Sequence, residues 1–386
     1  MATEQTGAAT EPVLGVAPPD VMVAPAAAGT TPPLWPPVPR VVFVARVIIG
    51  VALSAAALYA PFYFQPTMNR VLSQAIYLAI AAMGLNLLLG FNGQVSIGHG
   101  AFYGVGAFTS AILMIDYGWS FEPTIIASAL LTGVFGLLVG LPALRVRGLY
   151  LALVTLGLAV LFPRVAQKFV DGTGGRPLLR PSRKEFSSLI EGLADDQWVY
   201  FLSLAIMVAL FFLAWNLTRG RVGRAMVAVR DQELAASTVG VNLAGTKVTT
   251  FAISAAYAGV AGSLSVMVDA LADGTNPVLY FQRSIEFLVA MTIGGAATML
   301  GPAVGALALV LLRRNTQDLI EGKEILAPAI YGASLIAFVF VLPEGVVGGV
   351  RRLLAWLGRR SSAKGRPPTH PIPDDSHDIG GPNERT

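Results

Sequence analysis

Apolar and polar positions follow one another along this chain in long blocks. Apolar runs of roughly 20 residues, the length at which a helix crosses a bilayer core, recur between short polar connections. They predict an all-α, polytopic membrane bundle of about 8–10 spans, several of them broken by Gly or Pro. The candidate spans are 41–64, 71–90, 97–115, 123–141, 149–167, 198–217, 248–271, 284–299, 300–314 and 325–342.

Composition points to the same class of protein. The chain is 54% hydrophobic and 13% charged, whereas soluble domains are about 25% charged. Its net charge of +4 fits basic residues kept on cytoplasmic loops. The sequence has no single basic face with interleaved aromatic residues, so it does not indicate nucleic acid as a partner. The absence of cysteine excludes disulfides, thiol catalysis and cysteine-based metal sites.

The apolar blocks occupy only the middle of the chain. Residues 1–39 are rich in Pro, Ala and Thr without apolar periodicity, which predicts a disordered tail. Residues 358–386 form a second polar stretch, also predicted to be disordered. A transmembrane domain is therefore expected over 40–357.

One polar loop, 218–247, differs from the other connections and is called the basic loop below. It carries five Arg or Lys residues against two acids, an excess that marks the cytoplasmic side of a membrane. Ten spans would then place both termini on that side. Arg313 and Arg314 would fall outside, which fits the rule less well.

The basic loop also has the pattern of a helix. Val222, Met226 and Val229 recur at helical spacing. Gly240 follows as a helix stop, because glycine takes the left-handed conformation without steric cost. The pattern predicts a single short helix, 223–240, presented to another protein.

A first interrupted segment, 90–104, combines glycines with four polar residues in an apolar surrounding. Unwound backbone at membrane depth is tolerated only within protein or along a watery cavity. Asn92, Gln94, Ser96 and His99 are therefore candidates for a translocation path. The alternative is a glycine-lined packing seam whose polar side chains bond to neighbouring helices.

A second interrupted segment, 292–305, follows at about half the chain length. Paired interruptions in corresponding halves predict an internal repeat around a site. Three glycine pairs at small-xxx-small spacing favour close helix crossings. The pairs are Gly100/Gly104, Gly136/Gly140 and Gly301/Gly305.

No motif nominates a catalytic centre, a metal site or a cofactor. The chain lacks a GxxxxGK[ST] phosphate loop, an HExxH motif and a GxSxG motif. Ionisable groups are nearly absent from mid-span positions, although self-powered pumps usually need them. The sequence predicts a transport subunit, not an enzyme, whose energy comes from another chain.

Four stretches resemble one family in order. Residues 84–113, 148–159, 223–264 and 291–306 are similar to permeases of ATP-binding-cassette (ABC) importers of the branched-chain amino acid, LivM-like kind. Glu233 to Gly240 resembles the cytoplasmic coupling motif of such permeases, Glu-Ala-Ala followed by Gly. It departs from the general motif by one inserted residue, Leu234.

The resemblance implies an importer in the cell membrane of a prokaryote. Its partners would be two cytoplasmic ABC ATPase subunits, a second, LivH-like permease, an extracytoplasmic solute-binding protein and membrane lipid. The solute would be a branched-chain amino acid. Urea or amide transport by a related ABC system, or a secondary transporter, are the alternatives. The residues expected to couple to the ATPases are Arg224, Arg230, Asp231, Glu233, Ala235, Ala236 and Gly240.

Overall fold

The computed structural model describes residues 40–146, 148–171, 178–179, 181, 192–276 and 278–318, with short pieces at 332–333, 336, 340, 345–349 and 352. Both predicted tails, 1–39 and 358–386, and most of the predicted span 325–342 lie outside these residues. The chain divides into two compact units, Met1–Ala56 and Ala57–Thr386. The first contains the start of α1, and the second contains the elements from the end of α1 onward.

The described residues are almost entirely helical, which confirms the predicted class. The only strands among them form one short antiparallel pair. The elements are α1 Arg40–Tyr63, α2 Pro66–Leu85 with a π-helical continuation Asn86–Phe91, α3 His99–Tyr117, α4 Phe121–Ala143, α5 Leu149–Asp171, β1 Leu178–Leu179, α6 Asp195–Arg219, α7 Arg221–Asp231, α8 Glu233–Thr238, α9 Leu243–Asp269, β2 Ala272–Asp273, α10 Leu279–Gly294 and α11 Gly301–Asp318.

In the part of the chain that the structure describes, five helices are long and apolar enough to cross a membrane, as a multi-pass protein requires. Helices α1, α3, α10 and α11 overlap other predicted spans but differ at their ends, whereas α7 and α8 lie in the basic loop. The predicted span 284–299 is wrong at its end, because α10 stops at Gly294. Gly295 and Ala297 then take positive φ values of 112° and 56°, which a helix cannot contain.

Two helices form the centre of the bundle. In the most apolar 18-residue stretch of α2 and its π-helical continuation, 83% is buried, and the same share is buried in α9. The corresponding stretches of α4 and α6 are only 28% and 17% buried, and they expose residues such as Leu130 and Phe212. Such apolar faces suit contact with lipid tails, which are as apolar as leucine.

Small residues let the central helices touch. Gly106 of α3 faces the backbone of Gly259 in α9, so no side chain fits between these helices. Beside this crossing, the Ser110 hydroxyl donates to Ser263 Oγ at 2.6 Å and lies 2.8 Å from Ser128 Oγ. Five of the six predicted pair glycines lie against another helix: Gly100 against Tyr280, Gly104 against Phe162, Gly136 against Ala255, Gly140 against Phe251, and Gly305 against Ala290. Gly301 does not, because it packs on Gly294, Gly295 and Thr298 at the turn before α11.

The bundle has two distinct ends. One carries α7 and α8 together with both interrupted segments, because Arg230 reaches Gly90 and Asn86 reaches Thr298. The opposite end brings together the starts of α2 and α10 and the ends of α9 and α11. Arg70 of α2 pairs there with Asp269 of α9.

Candidate functional site

The basic loop folds as two helices, so the predicted single helix 223–240 is wrong. Gln232 takes an extended conformation, φ −160° and ψ 105°, between α7 and α8, and this interrupts the helical hydrogen bonds. Of the three residues predicted to share a helical face, Met226 and Val229 are buried within this chain, whereas Val222, in the first turn of α7, is 39% exposed. The predicted stop is confirmed: α8 ends at Thr238, and Gly240 has a φ of 82°.

Arg230 joins the basic loop to the first interrupted segment. Its Nη1 donates to the carbonyl oxygen of Gly90 at 2.9 Å, while its Nε donates to Asp231 at 2.9 Å. Gly93 lies directly beneath, with a φ of 74°, and a Cβ there would stand 2.8 Å from Arg230 Cγ. The end of α7 therefore rests on the π-helical end of α2.

A second connection runs through Lys247 at the start of α9. Lys247 Nζ forms an ion pair with Glu233 of α8 at 2.5 Å. The carbonyl oxygen of Lys247 accepts a hydrogen bond from Gln94 Nε2 at 3.1 Å. Glu233 and Gln94, predicted for two different roles, thus contact the same residue.

The coupling candidates Arg224, Asp231, Ala235 and Ala236 lie on α7 and α8. None of the four forms a side-chain hydrogen bond to the first interrupted segment among the described residues. Arg224 Nη1 bonds to the carbonyl oxygen of Arg219 at 3.3 Å. Ala236 is buried and Ala235 is exposed. Asp231 holds Arg230, so it acts on the bundle only through that arginine.

His99 is locked between two serines. Its Nδ1 lies 3.0 Å from Ser96 Oγ, and its Nε2 lies 2.6 Å from Ser254 Oγ. Ser254 donates its proton to the carbonyl oxygen of Gly84 at 2.5 Å, so it must accept from Nε2–H. Nδ1 then accepts from Ser96. Both ring nitrogens are engaged, and the ring ties the first interrupted segment to α9 and α2.

Asn92 is the predicted path residue with unused hydrogen-bonding capacity. Its side chain is 2% exposed, and neither its amide oxygen nor its amide nitrogen has a partner among the described residues. Buried polar groups are normally paired. A role in translocation for Asn92, Gln94, Ser96 and His99 stays a prediction.

Asn86, four residues before the first interrupted segment, contacts the second one. Its Nδ2 donates to the carbonyl oxygen of Thr298 at 2.8 Å, and its Oδ1 accepts from the backbone N–H of Ala297 at 2.8 Å. One side chain therefore holds the non-helical turn between α10 and α11 against α2. The internal repeat itself stays a prediction.

Sequence reasoning missed a charged cavity at the opposite end of the bundle. It has a volume of about 600 Å³ and is lined by four arginines and three carboxylates. Its described lining residues come from five helices, α2, α3, α9, α10 and α11, and from the β2 region, so no contiguous motif predicts them. The available signal was Arg283 and Glu286, three residues apart, which form an ion pair at 2.7 Å.

The serine that accepts from His99 provides a test of the packing. We expect Ser254→Ala to lower the stability by roughly 1–3 kcal/mol, because His99 Nε2 and the Gly84 carbonyl would both lose a buried partner. Ser203→Ala is the matched control: Ser203 is 0% exposed, and its hydroxyl has no partner among the described residues. Thermal unfolding in detergent should show a lower midpoint for the first variant only. Equal midpoints would contradict the assigned hydrogen bonds.

Comparison with known proteins places this chain in a family. The family described as branched-chain amino acid transport system / permease component matches residues 67–339. The high-affinity branched-chain amino acid transport system permease protein LivM of Escherichia coli is 29% identical over 338 residues, 82% of this chain and 77% of that protein. The corresponding permease protein LivH of Escherichia coli is 25% identical over 308 residues, 74% of this chain and 96% of that protein.

A more distant relative is the ribose import permease protein RbsC of Haemophilus influenzae, 23% identical over 79% of this chain and 93% of that protein. No solved structure matches the chain. The family match spans most of the chain, including the basic loop and both interrupted segments. The chain therefore belongs to the permease-component family of branched-chain amino acid transport systems.

Proposed function

We propose that this chain is the permease subunit of an ABC importer that carries branched-chain amino acids, or a related small polar solute, across a prokaryotic cell membrane. The observation that carries the proposal is the hydrogen bond from the Arg230 side chain, in the basic loop, to the carbonyl oxygen of Gly90 inside the bundle. The solute class is that of the LivM and LivH relatives, which are permeases of branched-chain amino acid transport systems.

The partners follow from this assignment. Two ABC ATPase subunits dock on the cytoplasmic side, one of them on the basic loop. A second, LivH-like permease completes the pore, and an extracytoplasmic binding protein delivers solute to the opposite end. Both termini then lie in the cytoplasm, as the charge of the basic loop favours.

The docking surface is the exposed side of α8. Leu234 is 77% exposed and Val239 is 78% exposed, on a helix pair that also carries the charges of Arg224 and Asp231. Apolar side chains at such exposure, ringed by polar ones, are typical of a protein interface. Leu234, the insertion relative to the general motif, is thus available to an ATPase.

Movement of the docked helices reaches the bundle by two routes. Arg230 pulls or pushes the π-helical end of α2 through Gly90, and Lys247 links Glu233 to Gln94. ATP-driven closure of the ATPases would shift α7 and α8 together. The first interrupted segment would shift with them and switch the pore between its outward-open and inward-open states.

The test is a double substitution, Leu234→Asp with Val239→Asp, in a chain co-expressed with its ATPases, sister permease and binding protein. We expect the ATPase subunits to be lost on purification and ATP-dependent uptake in proteoliposomes to fall at least tenfold. Val278→Asp is the control for ATPase retention alone, because Val278 is 46% exposed at the end of the bundle away from the ATPases.

Retention of the ATPases by the double variant would refute the docking surface. Uptake by the wild-type protein that persists after ATP depletion would instead support a secondary transporter. The two outcomes are separate, because one is a purification result and the other a transport result.

A further inference from the structure

The charged cavity has the size and the mixed polar and apolar lining of a small-molecule site. It lies at the end of the bundle opposite the basic loop, among the start of α2, the end of α9, the start of α10 and the end of α11. Its volume of about 600 Å³ falls within the roughly 300–1,000 Å³ of ligand pockets. Charged groups of both signs share its wall with the apolar side chains of Leu78, Leu309 and Val310.

Arg283 supplies a cation with donors to spare. Its side chain is 19% exposed, and its Nη1 donates to Glu286 Oε2 at 2.7 Å. Its guanidinium carbon lies 6.0 Å from the ring centre of Tyr77 and 5.9 Å from that of Tyr103. A guanidinium has five N–H donors and matches a carboxylate in a two-point arrangement. The hydrogen bond to Glu286 leaves part of that fork for a ligand.

Asp269 supplies an anion with acceptor capacity. Its carboxylate accepts from Gln74 Nε2 at 3.0 Å and from the Tyr77 hydroxyl at 3.2 Å, and it pairs with Arg70 at 3.4 Å. All three distances exceed the roughly 2.7–2.9 Å of a strong charge-assisted bond. An ammonium group is a stronger partner than any of these.

Tyr77 lies between the two charges. Its hydroxyl bonds to Asp269, while its ring faces the guanidinium of Arg283. The cation and the anion therefore stand near opposite parts of one aromatic side chain. A ligand in this cavity that carries a positive and a negative group on one small frame would find a partner for each beside Tyr77.

We infer that the charged cavity binds the zwitterionic backbone of an α-amino acid, with its carboxylate on Arg283 and its ammonium on Asp269. The apolar side chain of the ligand then packs on Leu78, Leu309 and Val310. The inference rests on the proposed function and narrows its solute class. A neutral solute such as urea carries no charged group to pair with Arg283 or with Asp269.

The first experiment measures binding to the purified full chain with its sister permease. The probes are L-leucine, leucine amide without the carboxylate, 4-methylpentanoate without the ammonium, and urea. We expect L-leucine alone to raise the thermal unfolding midpoint, and Arg283→Gln to weaken its apparent affinity at least tenfold. Arg145→Gln, in the exposed α4–α5 connection, is the matched control. Equal stabilisation by leucine and 4-methylpentanoate, or by urea, would overturn the inference.

A second experiment does not depend on removing a charge. Because the chain has no cysteine, Val310→Cys places a single thiol in the cavity wall. L-leucine should slow its labelling by a charged methanethiosulfonate at least fivefold. Labelling of Trp119→Cys, which lies outside the cavity lining, should be unaffected. Unchanged labelling at position 310 with saturating leucine would refute the site.

These results separate the inference from the proposed function. If leucine protects Val310→Cys but ATP does not drive uptake, the site stands and the ABC assignment falls. If ATP drives leucine uptake but no protection is seen, the assignment stands and the site falls.

Discussion

Gly106→Val is expected to abolish the folded bundle. A Cβ at Gly106 would lie 2.5 Å from the Cα of Gly259 and 2.6 Å from its carbonyl carbon. Both atoms are backbone of the central helix α9, so neither can rotate away as a side chain would. Helices α3 and α9 would have to separate, at a cost of about 3 kcal/mol or more.

Purification in detergent measures this effect directly. We expect little monodisperse protein from Gly106→Val and a sharply lower unfolding midpoint in what remains. Gly157→Val is the matched control, because Gly157 is also mid-helix but exposed, with open space around its Cβ position. The control carries the same intrinsic helix penalty for valine. Similar yields of the two variants would show that α3 and α9 do not cross as described.

Arg230→Ala is expected to uncouple ATP hydrolysis from uptake. The substitution removes the hydrogen bond from the basic loop to the carbonyl oxygen of Gly90 but leaves Leu234 and Val239 available for docking. ATPase subunits should therefore remain bound and hydrolyse ATP, while uptake falls about tenfold or more. Coupling free energies between protein sites of about 1–3 kcal/mol correspond to changes of that size.

Arg224→Ala separates coupling from charge. Arg224 lies on the same helix, but its side chain donates a hydrogen bond to the carbonyl oxygen of Arg219 and not to Gly90. It removes one positive charge from the basic loop, as Arg230→Ala does, without touching Gly90. Uptake and stimulated ATPase activity should be measured in the same proteoliposomes. Equal losses of uptake in both variants would mean that net charge, and not the bond to Gly90, transmits the motion.

The sequence predicted the parts of this fold that depend on local pattern. Long apolar runs located most of the helices, and the glycine spacing located several crossings, because both properties are set by neighbouring residues. The crossing of Gly106 with Gly259 was not among the predicted pairs. Gly240 was identifiable as a stop for the same reason. The break at Gln232 was not, because its extended backbone has no glycine or proline to announce it.

Contacts across the fold could not be read from the chain. Asn86 lies in an apolar run and has no motif around it, yet its side chain forms hydrogen bonds to Ala297 and Thr298, which are more than 200 residues away. Arg283 and Asp269 become informative only when α9 and α10 place them in one cavity. His99 was identifiable as unusual, but its two serine partners, Ser96 and Ser254, could be known only from the fold.

Helix α2 and its π-helical continuation, Pro66–Phe91, connect the two ends of the molecule. These 26 residues span about 39 Å at 1.5 Å per residue. Arg70, Gln74 and Tyr77 stand in the charged cavity at one end, and Gly90 accepts from Arg230 at the other. If the state of the basic loop alters affinity in the cavity, thermodynamic reciprocity requires solute to alter affinity for the ATPases by the same factor. The permease would then report solute occupancy to its motor as faithfully as the motor drives the solute.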